Sequence, residues 1–465
     1  NTDNSPFFQA AIDAAGQGDV VYVPPGVYRL ATPVVLTLGV TLRGGGWNPH
    51  FTPRTNMTTS YLRPGIGNFV GTELLRIDPA PVVNPYIDSA YQGGPRIEGL
   101  ALNGRSTLNA SSGAITAIAI SSAVHDAAVT DVTAWEFTGD GVKVTDSSGI
   151  ELHRVVCSTN DGYGFNFVTN ATDANLVDCY SQGNGLDGYV LPNPNAISMH
   201  NCRSEFNAGN GYTFTGINHS CRVIGCNTDR NGKDGFYVNT LDGGRPMLFV
   251  GCEAKRDGSD AASRAGFNFV GTDATTQCAG AILTACNVHV GRNDDLSGTR
   301  TPLYGVQTAF TRRVTIDGGG WIAGTGGPYN DVAVCLNRYS GVVQVTTDAG
   351  TGVQTVSTSD RTTINGNTGS GRSLLYYTKG SGIRWELVTN STAEGGSNAG
   401  SDFDVSRYAD AGTILETGTF RITRSTGAAR FLRTLAVGAS ADGTAGALVV
   451  TPSADGTAST GTLVI

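Results

Sequence analysis

The sequence carries little charge and no long apolar run. Only 15% of its 465 residues are charged, and the formal net charge is -8. Because phosphate binding requires clustered Lys and Arg, the lack of a basic tract argues against a nucleic-acid partner. A membrane-spanning helix requires about 18 or more consecutive apolar residues. The richest apolar stretch, residues 20–42, is interrupted by three prolines and two glycines, so we expect no membrane insertion.

Paired metal-binding motifs are also missing. The chain has nine Cys and six His, but no Cys-x-x-Cys pair. Structural zinc sites usually take their ligands from such pairs, so we expect neither a metal nor a cofactor. The Cys residues are spread singly along the chain and are odd in number, which favours free, buried thiols over disulfides. Free thiols suit a protein that folds in a reducing cytoplasm.

What the sequence does contain is an internal repeat. One glycine column has successive spacings of 23, 24, 23 and 24 residues, with a sixth member 31 residues later: Gly141, Gly164, Gly188, Gly211, Gly235 and Gly266. A cysteine column keeps nearly the same spacing: Cys157, Cys179, Cys202, Cys226, Cys252 and, after a longer interval, Cys286. A leucine-rich repeat would need a Leu-x-x-Leu-x-Leu frame, which is missing. Instead, each unit contains short strand-like pieces separated by Gly, Asn and Asp.

This repeat predicts an all-β fold, a parallel β-helix in which each unit forms one coil of a single-stranded solenoid. Successive coils of such a fold lie about 4.8 Å apart, so equivalent residues stack. The Cys column is expected to form a buried ladder, because Cys behaves as a small apolar residue. Tyr212 and Phe214 form an aromatic-x-aromatic strand that we expect to point inward. Asp-Gly and Asn-Gly pairs supply the corners.

The N-terminal segment predicts a helix that covers the open end of the solenoid. Ser5 is expected to cap this helix, with Pro6 in its first turn. Its apolar face is predicted to contain Phe7, Phe8, Ala11 and Ile12. The helix is followed by GDVVYVPPGVY (residues 18–28). This segment resembles the start of the pectate-lyase-like superfamily of right-handed β-helices, which includes pectinases and many bacteriophage tailspikes.

The C-terminal part resembles a β-rich module of phage tail fibres and spikes. The resemblance rests on RWE (residues 384–386), AEGGSNAGSDF (393–403) and RYADAG (407–412). The segment after it is rich in Gly, Ala and Thr, and is predicted to contribute strands to a trimer or to connect to a further domain. The predicted domains are an N-terminal cap with the first coil (1–45), the β-helix (46–370), the tail-fibre-like module (371–434) and the small-residue segment (435–465).

Carboxylates on neighbouring coils are the candidate catalytic groups, because β-helix glycosidases use such pairs. The residue three positions after each Cys of the column is expected to face outward. These residues are Asn160, Gln182, Glu205, Asp229 and Lys255. The column therefore predicts Glu205 and Asp229 as stacked carboxylates, with Glu253 as a third candidate and Arg203 and Arg230 placed to hold an acidic sugar. The alternative is an ordinary solvated face.

Aromatic side chains that stack on sugars are the second expectation for a carbohydrate-binding protein. Tyr180 follows a Cys of the column, and Trp321 lies between glycines in DGGGWIAGTGG (residues 317–327). We interpret both as candidate sugar-binding residues. Trp135 is a weaker candidate because its segment is apolar.

Three functions are compatible with these features. The first is a phage tailspike or minor tail protein, made in the host cytoplasm and carried in the virion tail. It would form a homotrimer, contact other tail proteins, and bind and depolymerise host cell-surface polysaccharide, as a glycoside hydrolase rather than a lyase. The second is a structural or adhesive tail fibre without enzyme activity. The third is a secreted bacterial polysaccharide lyase or hydrolase, which the C-terminal resemblance disfavours.

Overall fold

The structure is a computed structural model with two compact units, Asn1–Thr363 and Ile364–Ile465. It describes residues 2–37, 39–46, 59–65, 67–79, 94–104, 113–123, 126–260, 264–273, 275–292, 300–321, 324, 327–331, 335–340, 372–379, 382–389, 402–409, 413–426 and 428–431. The finer division into four predicted domains stays a prediction. The small-residue segment 435–465 lies outside the described residues.

The first unit begins with helix α1 (Ser5–Ala14). Its first strands are β1 (Val20–Val23), β2 (Gly26–Leu30), β3 (Val34–Leu36), β4 (Thr41–Gly44), β5 (Ser60–Pro64), β6 (Glu73–Ile77), β7 (Arg96–Glu98), β8 (Leu100–Asn103), β9 (Thr116–Ser121), β10 (Ala128–Trp135) and β11 (Val142–Thr145). The central strands are β12 (Glu151–Ser158), β13 (Phe165–Phe167), β14 (Asn175–Val177), β15 (Tyr180–Gln182), β16 (Tyr189–Pro192), β17 (Ser198–His200), β18 (Arg203–Glu205), β19 (Tyr212–His219), β20 (Arg222–Ile224), β21 (Asn227–Asp229) and β22 (Phe236–Arg245). The last are β23 (Met247–Val250), β24 (Glu253–Lys255), β25 (Ala265–Val270), β26 (Cys278–Thr284), β27 (Asn287–His289), β28 (Tyr304–Ala309), β29 (Thr311–Asp317), β30 (Gly320–Trp321), β31 (Gly327–Asp331) and β32 (Cys335–Ser340).

These strands wind into the right-handed parallel β-helix that the repeat predicts. In the central part, each coil contributes one strand to each of three faces. Face A contains β14, β17, β20, β23, β26 and β29, and face B contains β15, β18, β21, β24, β27 and β30; together they form most of a 21-stranded sheet. Face C is a separate sheet of 11 strands that includes β13, β16, β19 and β22. The pairing between successive coils is parallel, for example β14 with β17 and β15 with β18.

Helix α1 covers the first coil, although its cap differs from the prediction. Asn4 is the N-cap residue and Ser5 is already helical. The Ser5 hydroxyl instead accepts a hydrogen bond from the backbone N–H of Ala31 (2.8 Å). The Gln9 side chain bonds both the N–H (2.9 Å) and the C=O (3.0 Å) of Val35. Gln9 thus takes the place of a neighbouring strand at the open end of the solenoid.

The apolar face of α1 is narrower than predicted. Phe8 and Ile12, four residues apart, are buried in the core. Phe7 and Ala11 are exposed to solvent. The helix lies over the solenoid with one stripe in contact, so residues at neighbouring positions turn away from the core.

The predicted glycine column opens the strands of face C, and the aromatic residues after it point inward. Phe165, Tyr189, Tyr212, Phe236 and Phe267 form a continuous stack with ring centroids 4.6, 4.6, 4.8 and 4.5 Å apart. A Cβ atom on Gly211 would lie 2.6 Å from the carbonyl oxygen of Gly235 on the next coil. The column therefore requires glycine because the coils approach each other too closely for a side chain.

The cysteine column is correct except for its first member. Cys179, Cys202, Cys226, Cys252 and Cys286 each directly precede a strand of face B and are buried. Cys157 is also buried, but it pairs with Ser181, two positions beyond Cys179. In that coil, Ser158 is the residue that pairs with Gln182. Asn160 therefore does not belong to the predicted outer column.

Asn160 instead begins a buried polar ladder. The ladder contains Asn160, Asn184, Asn207, Asn231 and Asp257, all at most 1% exposed. The amide Nδ2 of each Asn donates to the Oδ1 of the next member, at 2.9, 2.8, 2.9 and 2.8 Å. The last acceptor is a carboxylate, and burial raises the pKa of Asp257 to about 7. The ladder satisfies side-chain amides that would be costly to bury alone.

The second unit contains an antiparallel sheet of β33 (Arg372–Lys379), β34 (Gly382–Thr389), β35 (Phe403–Tyr408), β36 (Ile414–Ile422) and β37 (Ala429–Phe431). One side of the sheet buries an ion pair in which Arg421 Nε donates to Asp404 Oδ1 (2.6 Å). On the opposite side, Trp385 and Ile422 are 44% and 38% exposed. This unit is β-rich, as the C-terminal resemblance implies.

Candidate functional site

The candidate carboxylates lie on the outer surface of face B. Glu205, at the end of β18, pairs directly with Asp229, at the end of β21. The same column continues to Lys255 on β24. Glu253 belongs to the other outward column of this face, where it pairs with Asn227. The structure therefore places Glu205 and Asp229 on successive coils, with Glu253 one coil further and one column aside.

Glu205 is held between a tyrosine and an arginine. The Tyr180 hydroxyl donates to Glu205 Oε2 (2.7 Å), and the Arg203 guanidinium forms an ion pair with Glu205 Oε1. The same guanidinium lies over the Tyr180 ring, 4.9 Å from its centroid. Burial, followed by the hydrogen bond to Glu205, raises the pKa of Tyr180, so this hydroxyl stays protonated and acts as a donor. Glu205 is only 7% exposed, whereas about half of the Arg203 side chain faces solvent.

Asp229 anchors two arginines. Arg256 Nε donates to Asp229 Oδ1 (2.8 Å), and Arg230 Nη2 lies 3.3 Å from Asp229 Oδ2. The Arg230 guanidinium also lies over the ring of Phe206, 4.6 Å from its centroid. A cation over an aromatic face gains electrostatic attraction to the ring quadrupole. Arg230 and Arg203 thus share one arrangement, a guanidinium supported by an aromatic ring and anchored by a carboxylate.

Arg256 and Phe206 are missing from the sequence-based site. Both follow directly after the last residue of a face B strand, where the chain turns with positive φ (57° for Phe206 and 50° for Arg256). Phe206 is 44% exposed, so part of its ring is open to a ligand. In the sequence, each of them is recognisable only by its position, one residue after a member of the outward column that contains Glu205 and Lys255.

Glu253 contacts a lysine and a histidine of its own. Lys255 Nζ lies 2.6 Å from Glu253 Oε2, and His289 Nε2 lies 3.0 Å from Glu253 Oε1. Face B therefore alternates carboxylates with cationic side chains over three coils. Glu205 and Asp229 direct their oxygens to Arg and Tyr donors, so their main role in this geometry is to fix the orientation of the guanidiniums.

The two tryptophan candidates are not available to sugars. Trp321 is 1% exposed and pairs with Val288 at an inward position of face B. Its Nε1 donates to the Gly318 carbonyl (3.1 Å), and its ring packs edge-on against Phe267 (5.8 Å). Trp321 therefore belongs to a strand of a further coil, β30, and its position between glycines does not expose it. Trp135 is also buried, in a small cluster with Tyr61.

The described residues contain neither a metal-binding cluster nor a membrane-spanning helix. In that part of the chain, no group of three or more His, Cys, Asp or Glu side chains is arranged to hold a metal ion. No described helix is long and apolar enough to cross a membrane.

Comparison with known proteins identifies relatives of the fold. The family described as rhamnogalacturonase A/epimerase, pectate lyase-like, matches residues 1–69. No curated protein matches the sequence significantly. The gp42 tailspike of Acinetobacter phage vb_AbaP_AS12 is 11% identical with a TM-score of 0.52, over 97% of this chain and 84% of the tailspike.

Two further solved structures have similar folds at low identity. Tailspike protein 2 of the Escherichia coli O157:H7 bacteriophage CAB120 is 11% identical with a TM-score of 0.51, over 92% of this chain and 60% of that protein. The A-module of the mannuronan C-5 epimerase AlgE6 from Azotobacter vinelandii is 16% identical with a TM-score of 0.49, over 76% of this chain and 96% of the module. The two tailspikes, with TM-scores above 0.5, share the fold of this chain.

Proposed function

We propose that this chain, a pectate-lyase-like right-handed β-helix with the fold of phage tailspikes, binds host cell-surface polysaccharide on face B. The observation that carries the proposal is the repeated arrangement of Arg203 on Tyr180 and Arg230 on Phe206, each guanidinium anchored by a carboxylate. Both arginines are ordered before a ligand arrives, so less conformational entropy is lost on binding.

The chemistry of this surface suits a sugar chain with acidic groups. A guanidinium presents several donors in a planar fork that matches a carboxylate. The exposed part of the Phe206 ring offers an apolar surface for the C–H groups of a pyranose. Because the same positions recur on each coil about 4.8 Å apart, successive sugar units can follow the solenoid axis.

The fold, rather than the site, supports a role in a phage tail. Similarity to a phage tailspike over nearly the whole chain supports it. In this role the protein is made in the host cytoplasm, assembles as a homotrimer with other tail proteins, and attaches the virion to its host. A structural tail fibre that binds no glycan and a secreted polysaccharide-degrading enzyme are the alternatives.

Cleavage of the bound glycan is the second candidate function. It is favoured by the direct pairing of Glu205 with Asp229 on successive coils. Retaining glycosidases hold their two carboxyl groups about 5 to 5.5 Å apart, which matches a separation of one coil. Incoming sugar would have to displace the Tyr180 or Arg203 contacts of Glu205 for that carboxyl to act on the glycosidic oxygen. Glu253 is the reserve candidate.

Incubation with purified host surface polysaccharide tests both functions. Calorimetry measures binding, and light scattering coupled to size exclusion measures the length of the glycan. Binding with shortened chains supports a depolymerase, and binding at constant length supports an adhesin. If glycan from a susceptible host is neither bound nor shortened, the proposed function is wrong.

A further inference from the structure

Face A contains an open groove that the face B site does not use. It is lined by Glu151, Leu152, His153, Asn175, Val177 and His200, and has a volume of about 360 Å³. Small-molecule sites in proteins range from about 300 to 1,000 Å³. The groove therefore has room for a small ligand or for one unit of a longer one.

The repeat explains why a depression forms at this place. His153, Val177 and His200 occupy one outward column on three successive coils. Val177 is the smallest of the three, so the two imidazoles rise on either side of it, roughly 10 Å apart along the solenoid axis. Leu152 is buried beneath and completes an apolar floor.

The rim of the groove is fixed by polar contacts. Arg154 Nη1 lies 2.9 Å from His153 Nε2, and Arg154 Nη2 donates to Asp131 Oδ2 (2.7 Å). On the next coils, Asn201 Nδ2 donates to Asp178 Oδ1 (2.7 Å). Asp178 Oδ2 in turn lies 3.7 Å from the His153 ring. These contacts hold the corner beside the groove in place before any ligand binds, which reduces the entropy lost on binding.

We propose that this groove is a second carbohydrate site, specific for a hexopyranose without an acidic group. The apolar floor of Val177 and Leu152 accepts the C–H side of a pyranose ring. Glu151, Asn175 and the two imidazoles supply acceptors and donors for ring hydroxyls. Arg154 at the rim is offset by Asp131, to which it donates two hydrogen bonds. Glu151 and the nearby Asp178 then disfavour a uronic acid, which distinguishes this groove from the arginines of face B.

The proposal is independent of the function proposed for face B. It rests on the geometry of β12, β14 and β17 and uses none of the face B side chains. A host polysaccharide that alternates neutral and acidic sugars would contact both faces, because Val177 and Tyr180 are joined by only two residues.

Saturation-transfer NMR on the full chain tests the groove with methyl glucoside, methyl mannoside and methyl galactoside, and with methyl glucuronide as the acidic comparison. Transfer to the glucuronide should come from the face B arginines and be lost in the Arg203→Gln/Arg230→Gln double variant. Transfer to at least one neutral glycoside should come from the groove. Val177→Phe fills the depression and should abolish the transfer. Ile224→Phe, in the same outward column but outside the groove, is the matched control and should leave it unchanged.

The exposed Asn175 provides a second variant in case Val177→Phe does not fold. Asn175→Ala should weaken binding about fivefold through the loss of a hydrogen bond. Arg203→Gln should lower transfer to the glucuronide relative to the neutral glycoside, which separates this site from face B. The proposal is overturned if no neutral glycoside shows transfer, if Val177→Phe and Asn175→Ala retain it at the parent level, or if the Arg203→Gln/Arg230→Gln double variant still binds the glucuronide as well as the neutral glycosides.

Discussion

Glu205 and Asp229 occupy the same position on successive coils, and each fixes arginines at the surface of face B. Glu205 anchors Arg203, and Asp229 anchors Arg230 and Arg256. The Arg203 side chain is 51% exposed and that of Glu205 is 10% exposed, so Arg203 faces the solvent, whereas Arg230 and Asp229 are buried to a similar extent (15% and 13%). A stacked pair of carboxylates alone suggests a glycosidase. Here the same pair also holds three arginines in place on face B, although the net charge of the chain is -8.

The first prediction concerns catalysis. If the wild-type protein shortens its glycan, Glu205→Gln and Asp229→Asn should each lower turnover by orders of magnitude, because each removes one of the two carboxyl groups that the reaction needs. Rates are measured from the reducing ends released. Glu98→Gln is the matched control, since Glu98 also pairs with an exposed arginine, Arg43, and it should retain the parent rate. Parent-like rates in both site variants would place catalysis elsewhere.

The second prediction concerns the end of the buried ladder. The folded-state pKa of Asp257 is raised from 3.8 to about 7 by burial. The unfolded chain therefore loses this proton at a lower pH than the folded chain does. The contribution of Asp257 to stability is complete below about pH 4, decreases by about 1.4 kcal/mol per pH unit as the pH rises towards 7, and is constant above that.

Asp257→Asn removes this titration while it keeps an acceptor for Asn231. The variant should be more stable than the parent at pH 8, and nearly equal to it at pH 4. Urea unfolding at a series of pH values measures the difference. Parallel stability curves for parent and variant across this range would show that Asp257 does not titrate as the structure implies.

The third prediction concerns the cysteine ladder. Burial raises the pKa of the Cys202 thiol well above its usual range, and the thiolate is the reactive form. The buried thiols of Cys157, Cys179, Cys202, Cys226 and Cys252 should therefore react with thiol reagents only after unfolding. Cys202→Asp should cost several kcal/mol or prevent folding, because it places an unpaired charge in the core. Cys202→Ala, which keeps an apolar side chain, should fold. Rapid labelling of the ladder in the native state would be inconsistent with its position.

The fourth prediction is that the intact chain forms a homotrimer. Trp385 and Ile422 leave an apolar surface on one side of the sheet in the second unit, and a sheet is stable when such a surface is covered. Light scattering should give three times the chain mass. Trp385→Asp and Ile422→Asp should shift the protein towards monomers. A monomeric mass for the unaltered chain would contradict this prediction.

The sequence predicts the solenoid well because its repeat is enforced by stacking. Gly211 has to be glycine because the next coil leaves no room for a Cβ atom, and such constraints are visible as a period. The spacing of the repeat does not show in which strand a given residue lies, or whether its side chain points into the core. Cys157 fits the spacing of the ladder but lies within β12, where it pairs with Ser181. Trp321 lies between glycines in the sequence but is buried in the core.

Only part of the candidate site can be predicted from the sequence. The pairing of Glu205 with Asp229 follows from counting along the repeat. The role of their partners does not, because the bend that directs Arg256 back towards Asp229 is a backbone feature with positive φ. The sequence does not predict the Asn ladder, for a simpler reason. Polar residues at turns look like surface residues until their amides are seen to bond one another inside the coil.

The measurement that most directly tests the role of face B is the affinity for purified host polysaccharide of the Arg203→Gln/Arg230→Gln double variant. Each substitution removes a charged donor while it keeps an amide, and Arg43→Gln serves as an exposed, carboxylate-paired control away from face B. We predict that the double variant binds at least about tenfold more weakly than the parent and with less dependence on salt, whereas Arg43→Gln binds normally. Equal affinity of the double variant and the parent would contradict the assignment of polysaccharide binding to face B.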